Sequence, residues 1–422
     1  MQQIVVMVVV AVAYVGLSYV SKAVAFAQTD AWTVWLSSGV VLGTLLATTR
    51  DRWWGALAGG FIGATVFALV LDVSFWNSLG YGVIEVVAAG SAAFLVSYVS
   101  PLPIRLERPR ELAATVFAGA LPLALVGAIL ATAWHVATAG TTPALTFKVW
   151  LFSNFLGTLL VAPVIIAWAG FRVRRSGGLP ATSFAAGAIA CALFLAIMHL
   201  VFDVGIGLGY APVMLIAIVA LYWGTRGATL VAFLGALIAI INTAQHEGPF
   251  AVGPGLLGDP ELDVQAYSLV IAVTGLLIAV LDAAKRNAIV EARAWRTRFD
   301  AAIGAHRLLA YEWDPASNRI VVTGDAKGLL GVAPERIATL ADWIGLVDAQ
   351  DRERVETRFD ERVRGQGDTD AITYLARTGD GTLLEASDEA RAIRDHDGQL
   401  HRVVGIVRIA PVARTAPLEA AA

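Results

Sequence analysis

Residues 81–96 read YGVIEVVAAGSAAFLV, and fifteen of these sixteen side chains suit the interior of a lipid bilayer. The exception is Glu85. A carboxylate near the centre of a membrane helix costs roughly 2.5 to 3.5 kcal/mol on insertion scales, so contacts must offset this cost. Two explanations of Glu85 stay open at this point: a functional carboxylate, or a polar group that only fixes helix packing.

The rest of the chain has the composition of a membrane protein with a soluble part. The 422 residues are 57% hydrophobic and 15% charged, far from an average soluble domain. Residues 1–284 hold only 11 of the 31 Lys and Arg and 12 of the 34 Asp and Glu. A membrane block therefore precedes a soluble block, and the balanced charge of both gives no indication of a nucleic-acid partner.

Apolar runs long enough to cross about 30 Å of hydrocarbon predict a polytopic α-helical bundle with about 8–10 transmembrane helices. They fall near residues 4–26, 31–48, 53–71, 78–99, 111–138, 147–169, 183–202, 209–223, 226–245 and 265–283.

The loops predict the orientation of this bundle, because Lys and Arg gather on the cytoplasmic side. Alternate loops carry the arginines, and the loops between them are acidic. The basic set is Arg50, Arg52, Arg105, Arg108, Arg110, Arg172, Arg174, Arg175, Arg226, Lys285 and Arg286; the acidic set is Asp30, Asp72, Asp203, Glu247, Asp259, Glu261 and Asp263. With ten spans, both termini are cytoplasmic at a bacterial inner membrane.

After the membrane block, residues 285–301 favour a linker helix with one apolar stripe, formed by Ala288, Ala292, Trp295, Phe299 and Ala302. This stripe suits either pairing with a second copy in a homodimer or packing on the chain's own soluble domain. Residues 302–410 then follow the order β-β-α-α-β-β-β, with Asp-Gly turns typical of hairpins. We expect a small α+β domain with an antiparallel sheet, and a disordered tail over 411–422.

Residues 302–410 resemble a PAS sensor domain with its C-terminal PAC half. The resemblance is carried by YEWD, the helix ending in GLLG, the stretch ADWIGLVDAQDRERV and the two Asp-Gly hairpins before VVGIVRIA. It implies a pocket lined by Tyr311, Trp313, Trp343 and Tyr374.

The membrane block resembles the MASE1 family of integral membrane sensor modules, which precede bacterial histidine kinases and cyclic-di-GMP enzymes. The resemblance rests on VWLSSGVVLGTLL followed by RDRWW, on YGVIEVVAAGSAAFLVSY, and on WLFSNFLGTLLVAPVIIAW. It covers most of residues 10–283 and implies a sensor module over 1–284.

These 422 residues contain no catalytic constellation: no kinase ATP-binding boxes, no GG(D/E)EF loop and no EAL motif. We therefore expect a non-enzyme. The sequence requires no cofactor, because the PAS region has no cysteine for a cysteinyl-flavin adduct, and surface positions are favoured over haem ligation for its histidines. Cys-based metal sites are excluded by the single cysteine, Cys191.

Candidate ligand-binding residues in the membrane block are its polar interruptions: Glu85, Asn154, His199 and Asp203, with His135 as a further one. Packing roles are favoured for all of these except Glu85.

Three functions fit the sequence. The first is a two-component or cyclic-di-GMP membrane sensor that relays a ligand or membrane state to PAS. The second is a polytopic small-solute transporter with a regulatory PAS domain. The third is an interaction module that docks a separate histidine kinase or diguanylate cyclase.

Overall fold

The computed structural model describes residues 2–26, 32–169, 181–203, 211–251, 259–364, 371–395 and 398–412. The chain divides into two compact units, Met1–Asn287 and Ala288–Ala422, and each has its own hydrophobic core. Several predicted features lie outside the described residues, namely Asp30, Arg172, Arg174, Arg175, His396 and the tail beyond residue 412.

The first unit is an all-helical bundle, as predicted. Its helices are α1 (Gln2–Ala23), α2 (Ser37–Leu46), α3 (Trp53–Val70), α4 (Phe75–Val99), α5 (Pro109–Ala113), α6 (Leu121–Ala139), α7 (Pro143–Ala169), α8 (Ala181–Phe202), α9 (Ala211–Ala244) and α10 (Pro260–Ala305). A π-helical turn, Ala114–Ala120, joins α5 to α6. Among the described residues, eight helices are long and apolar enough to cross a membrane, which confirms the polytopic bundle.

The second predicted span, residues 31–48, is shorter than expected. Only α2 is helical there, and its ten residues rise about 15 Å, half of the hydrocarbon thickness. Residues 32–36 precede it without regular helix, so apolar composition alone overestimated this span.

Helix α2 packs closely and in parallel on α7. The backbone N–H of Trp35 donates to the carbonyl oxygen of Ser153, at 2.9 Å. A Cβ atom on Gly157 would collide with the carbonyl of Trp35, and one on Gly39 would lie 2.7 Å from Val161 Cβ. Glycine is therefore required at both positions for the backbones to approach, a common device in membrane bundles.

The predicted eighth and ninth spans both lie within α9, and the chain turns sharply between them at Gly224. This glycine has φ 63° and ψ −154°, a conformation that is essentially restricted to glycine. A Cβ atom on Gly275 would contact both Ile216 and Ala228, which a straight helix would hold about 18 Å apart. The turn lies near Arg286, whose Nη2 would be 3.7 Å from a Cβ on Gly224.

Basic residues from distant parts of the sequence lie at one end of the bundle. Arg50 and Arg52 flank Asp51, whose carbonyl oxygen accepts a hydrogen bond from Gln3 Nε2. Arg226 Nε donates to the carbonyl oxygen of Ala167 at 3.0 Å. Because α2 and α7 are parallel, these two contacts lie at the same end, together with Arg286. We call this the basic end.

The second unit forms the predicted α+β domain. Its strands are β1 (Leu308–Asp314), β2 (Arg319–Thr323), β3 (Ile372–Arg377), β4 (Leu383–Arg394) and β5 (Leu400–Pro411), and its helices are α11 (Ala326–Leu330), α12 (Leu340–Leu346) and α13 (Arg352–Val363). The sheet order is β2-β1-β5-β4-β3, and all of its pairings are antiparallel. Gly381, in the first Asp-Gly turn, has φ 89°, which explains the glycine there.

The predicted linker helix is the C-terminal part of α10, which continues to Ala305, shortly before β1. Two large members of its apolar stripe are exposed in the single chain: Trp295 is 64% exposed and Phe299 is 42% exposed. Their burial would require a partner surface.

Candidate functional site: a cavity around Glu85

Four membrane helices contribute side chains to a hydrogen-bonded cluster around Glu85. Tyr14 of α1 donates to Glu85 Oε2 at 3.1 Å, and Ser38 of α2 donates to the same oxygen at 2.8 Å. Trp35 Nε1 lies 3.3 Å from Tyr14 Oη, and Asn154 Oδ1 of α7 lies 2.9 Å from Ser38 Oγ. Glu85 of α4 is thus tied to three other helices by polar contacts.

Ser38 connects two acceptors with one hydrogen. Its hydroxyl reaches both Glu85 Oε2 and Asn154 Oδ1, but a serine hydroxyl can donate only one hydrogen at a time. Ser38 can therefore donate its hydrogen either to Glu85 or to Asn154, but not to both at once. Ser38 thus bridges α4 and α7.

The second oxygen of Glu85 has no such support. Glu85 is only 7% exposed, and its Oε1 has no hydrogen-bond partner. Among the described residues, no Lys, Arg or His nitrogen lies within 4.0 Å of this carboxylate. A buried carboxylate without a cation and with one orphan oxygen is costly, and a hydrogen-bond donor from outside the chain would reduce this cost.

Glu85 lines a cavity of about 400 Å³, which is within the size range of small-molecule sites. The lining residues include Leu71 and Val73, between α3 and α4, and Thr141, between α6 and α7. These loops lie at the end of the bundle opposite to the basic end. Glu85 is ten residues into α4, so the cavity reaches about 15 Å into the bundle.

His135 also lies on the cavity wall, and its polar contact is with a neighbouring phenol. Its Nε2 lies 3.1 Å from Tyr81 Oη. Tyr81 also stacks on Trp150, with 6.1 Å between ring centroids. His135, Tyr81 and Trp150 form one wall, and Trp32, Trp35 and Phe67 belong to another.

The predicted membrane candidates do not all meet. Asn154 joins Glu85, as described, but His199 and Asp203 do not line the cavity. They pair with each other at 3.1 Å near the end of α8, and both side chains are largely exposed. Lys148 of α7 pairs with Asp259, just before α10, at 3.6 Å.

In the second unit, the four predicted pocket residues are buried and belong to one core. Trp343 Nε1 donates to Tyr374 Oη at 3.1 Å, and the rings of Tyr311 and Trp343 are 5.7 Å apart. Trp313 packs edge-on against Phe359. A ligand role for this aromatic group stays a prediction.

Behind these rings lies a buried ion pair. Arg362 Nη1 donates to Asp388 Oδ2 at 3.2 Å, and both side chains are fully buried. Tyr311 donates to the same carboxylate at 3.1 Å. Burial raises the pKa of Asp388, against the lowering effect of Arg362, and burial followed by the charge of Asp388 raises the pKa of Tyr311.

The comparison with protein families follows the division of the chain. Residues 4–285 match the MASE1 family. This chain belongs to the MASE1 family. Residues 319–407 match the PAS fold family, so a PAS domain follows the MASE1 module, in the order expected from the sequence motifs.

Solved structures resemble parts of this MASE1 chain. The N-terminal domain of a diguanylate cyclase with PAS/PAC sensor from Marinobacter aquaeolei is 17% identical, over 24% of this chain and 94% of that one, with a TM-score of 0.23. A sensory box histidine kinase/response regulator from Burkholderia thailandensis is 18% identical, over 26% and 83%, also with a TM-score of 0.23. A search of curated proteins found no match.

All three MASE1-like motifs converge on the cavity. VWLSSG supplies Trp35, YGVIEVVAAG supplies Tyr81 and Glu85, and WLFSNF supplies Trp150 and Asn154. The segments that carry the family resemblance are therefore those that build one site, although they are far apart in the sequence.

Several site residues were not predicted from the sequence, namely Tyr14, Trp35, Ser38, Tyr81 and Trp150. The available signal was weak: each is a tolerated residue within or beside an apolar run, and an aromatic belt at the membrane interface is the favoured explanation of Trp35 from sequence alone. Ser38 could have been selected because it lies within the same motif that carries the resemblance.

Proposed function

We propose that this chain is a bacterial inner-membrane sensor whose MASE1 cavity receives the stimulus and whose last membrane helix relays it to the PAS domain. The MASE1 and PAS family matches support a membrane sensor. The relay and the nature of the stimulus are the proposed parts.

One observation carries the proposal: a buried carboxylate without a cation, at the base of a cavity that begins at the end opposite to the arginines. Because Lys and Arg favour the cytoplasmic side, this cavity would start at the periplasmic face. A stimulus could then reach Glu85 from the periplasm. The part of α10 that leads to the PAS domain would begin at the cytoplasmic face.

Reporter fusions test the orientation. Fusions after Arg110, Arg175 and Arg286 should read cytoplasmic, and a fusion after Gly253 should read periplasmic. Arg175 and Gly253 lie outside the described residues and serve only as fusion points. A periplasmic signal at Arg286 would contradict the sensor, because PAS would lie on the wrong side.

The relay is proposed to use a homodimer through residues 285–301, because Trp295 and Phe299 are exposed in the single chain. A Cys191→Ala background removes the one native thiol. Trp295→Cys and Phe299→Cys should then form intermolecular disulfides in membranes, whereas Thr297→Cys, outside the stripe, should do so at least several-fold more slowly. Equal rates at all three positions would refute this dimer face.

We propose that these 422 residues have no catalytic activity of their own and that the PAS domain acts on a kinase or cyclic-di-GMP enzyme domain. Fragment 285–422 should bind such a purified partner, and binding should require the PAS surface.

A transporter is the second candidate, since a cavity reaching a mid-bundle carboxylate also suits one. Uptake by proteoliposomes distinguishes the two. Transport that saturates and is lost in Glu85→Gln would favour the transporter, whereas occupancy of the site without net flux favours the sensor.

A further inference from the structure

Aromatic rings form much of the wall above Glu85. Six rings line the cavity, those of Tyr14, Trp32, Trp35, Phe67, Tyr81 and Trp150. They are arranged as contacting groups: Trp32 and Trp35 lie edge to face at 4.8 Å, and Trp35 and Phe67 at 5.8 Å. Aromatic faces attract cations and also cover apolar groups.

At the base of the same cavity, the Glu85 carboxylate lacks hydrogen-bond donors on one of its two oxygens. Tyr14 and Ser38 both donate to Glu85 Oε2, while Oε1 has no donor. A carboxylate oxygen accepts strong hydrogen bonds from a charged N–H group. A cationic donor would supply both the missing hydrogen bond and the missing counter-charge, and the aromatic walls favour one that has an apolar body.

We propose that this cavity binds a small protonated organic amine, with its ammonium group at the Glu85 carboxylate and its apolar part against the aromatic walls. This inference rests on the proposed sensor function, since it names the chemical class of the stimulus.

Other ligand classes fit the lining less well. An anion would face the Glu85 carboxylate. A hard metal ion needs several oxygen ligands, and the described residues hold no group of three or more His, Cys, Asp or Glu that could bind a metal. A neutral apolar molecule would leave Glu85 Oε1 unpaired. His135 is compatible with an amine, because its Nε2 already contacts Tyr81.

Binding can be measured directly on the full-length protein in lipid nanodiscs. The probes are hexylamine, 2-phenylethylamine and tryptamine, each paired with the alcohol of the same skeleton: 1-hexanol, 2-phenylethanol and tryptophol. The alcohols and amines both enter lipid, so the comparison between protein variants isolates the site.

At least one amine should bind the wild type and raise its melting temperature, and Glu85→Gln should weaken its binding about tenfold or more. The matching alcohol should bind the wild type no better than it binds Glu85→Gln. Glu85→Asp keeps the charge and should retain a preference for the amine. Glu111→Gln is the matched control, because Glu111 is also buried in this unit but does not line the cavity.

Two results would overturn the inference: no amine distinguishes the wild type from Glu85→Gln, or the alcohols bind the wild type as tightly as the amines. Failure of the sensor proposal has a different signature. Amine binding that depends on Glu85, without any change in residues 285–305, would support the ligand class and contradict the relay.

Discussion

The two units each bury a carboxylate next to a tyrosine, but they complete the site differently. In the PAS unit, Asp388 receives Tyr311 and the guanidinium of Arg362, and the surrounding rings fill the core. In the MASE1 unit, Glu85 receives Tyr14 and Ser38 but no cation, and a cavity lies beside it. The Asp388 carboxylate is thus paired with a cation of its own chain, whereas we propose that the Glu85 carboxylate pairs with a ligand.

The largest effect should come from breaking the buried Asp388–Arg362 pair. Asp388→Asn leaves Arg362 as a buried charge without its counter-charge, and should destabilise fragment 302–410 by roughly 3–5 kcal/mol. Urea unfolding measures this change. Glu389→Gln, on the exposed face of the same strand, is the control and should change the free energy of unfolding by less than about 0.5 kcal/mol.

A second substitution sharpens this prediction. Adding Arg362→Met to Asp388→Asn removes the stranded charge, and should recover more than half of the lost stability. If the double variant loses as much unfolding free energy as Asp388→Asn and Arg362→Met lose together, the two residues are not coupled, and the proposed contrast with Glu85 would be wrong.

Acid should weaken the PAS unit through a different set of carboxylates. The pKa values of five aspartates, two of them exposed and three half-buried, are lowered by hydrogen bonds from neighbouring side chains or backbone: Asp314, Asp342, Asp348, Asp351 and Asp380. A lowered folded-state pKa gives stability above the unfolded value, near 3.9, that is lost as the pH falls below it.

Fragment 302–410 should therefore lose stability between about pH 5 and pH 3. Asp388 contributes with the opposite sign, because burial raises its pKa. The loss should thus be at least as steep in Asp388→Asn as in the wild type. Thermal melts across this range measure both proteins, and a melting temperature that rises in acid would contradict the assignment.

The smallest stability effect is expected at Glu85. Glu85→Gln keeps the shape and relieves the cost of burying a charge, so the melting temperature in nanodiscs should hold or rise. Glu111→Gln is the comparison, because Glu111 Oε2 accepts backbone N–H groups from Arg105 and Glu107, at 3.3 and 3.1 Å. It should lose about 1 kcal/mol. A larger loss at Glu85 than at Glu111 would make Glu85 a packing residue.

The sequence was sufficient for the order of the units and for the sheet, because these depend on local periodicity and on turn residues such as Gly381. It also identified Glu85, since a charge in an apolar run needs no tertiary information to be noticed.

The contacts of Glu85 were beyond the sequence, because they depend on which helices are neighbours. Ser38 and Glu85 are 47 residues apart, and Ser38 and Asn154 are 116 apart. The short length of α2 was missed for a similar reason, because hydropathy reports the environment of a segment but not how much of it is helical. The break at Gly224, by contrast, lies between the predicted spans 209–223 and 226–245.

We propose that Glu85 sets the state of the relay without being required for the fold. Amide hydrogen exchange over residues 285–305 tests it most directly, in full-length protein in nanodiscs, for the wild type, Glu85→Gln, Glu85→Asp and Glu111→Gln. We expect Glu85→Gln to change exchange there about fivefold or more, Glu85→Asp to fall between, and Glu111→Gln to match the wild type. Superimposable exchange in Glu85→Gln and the wild type, with both proteins folded and inserted, would contradict the claim.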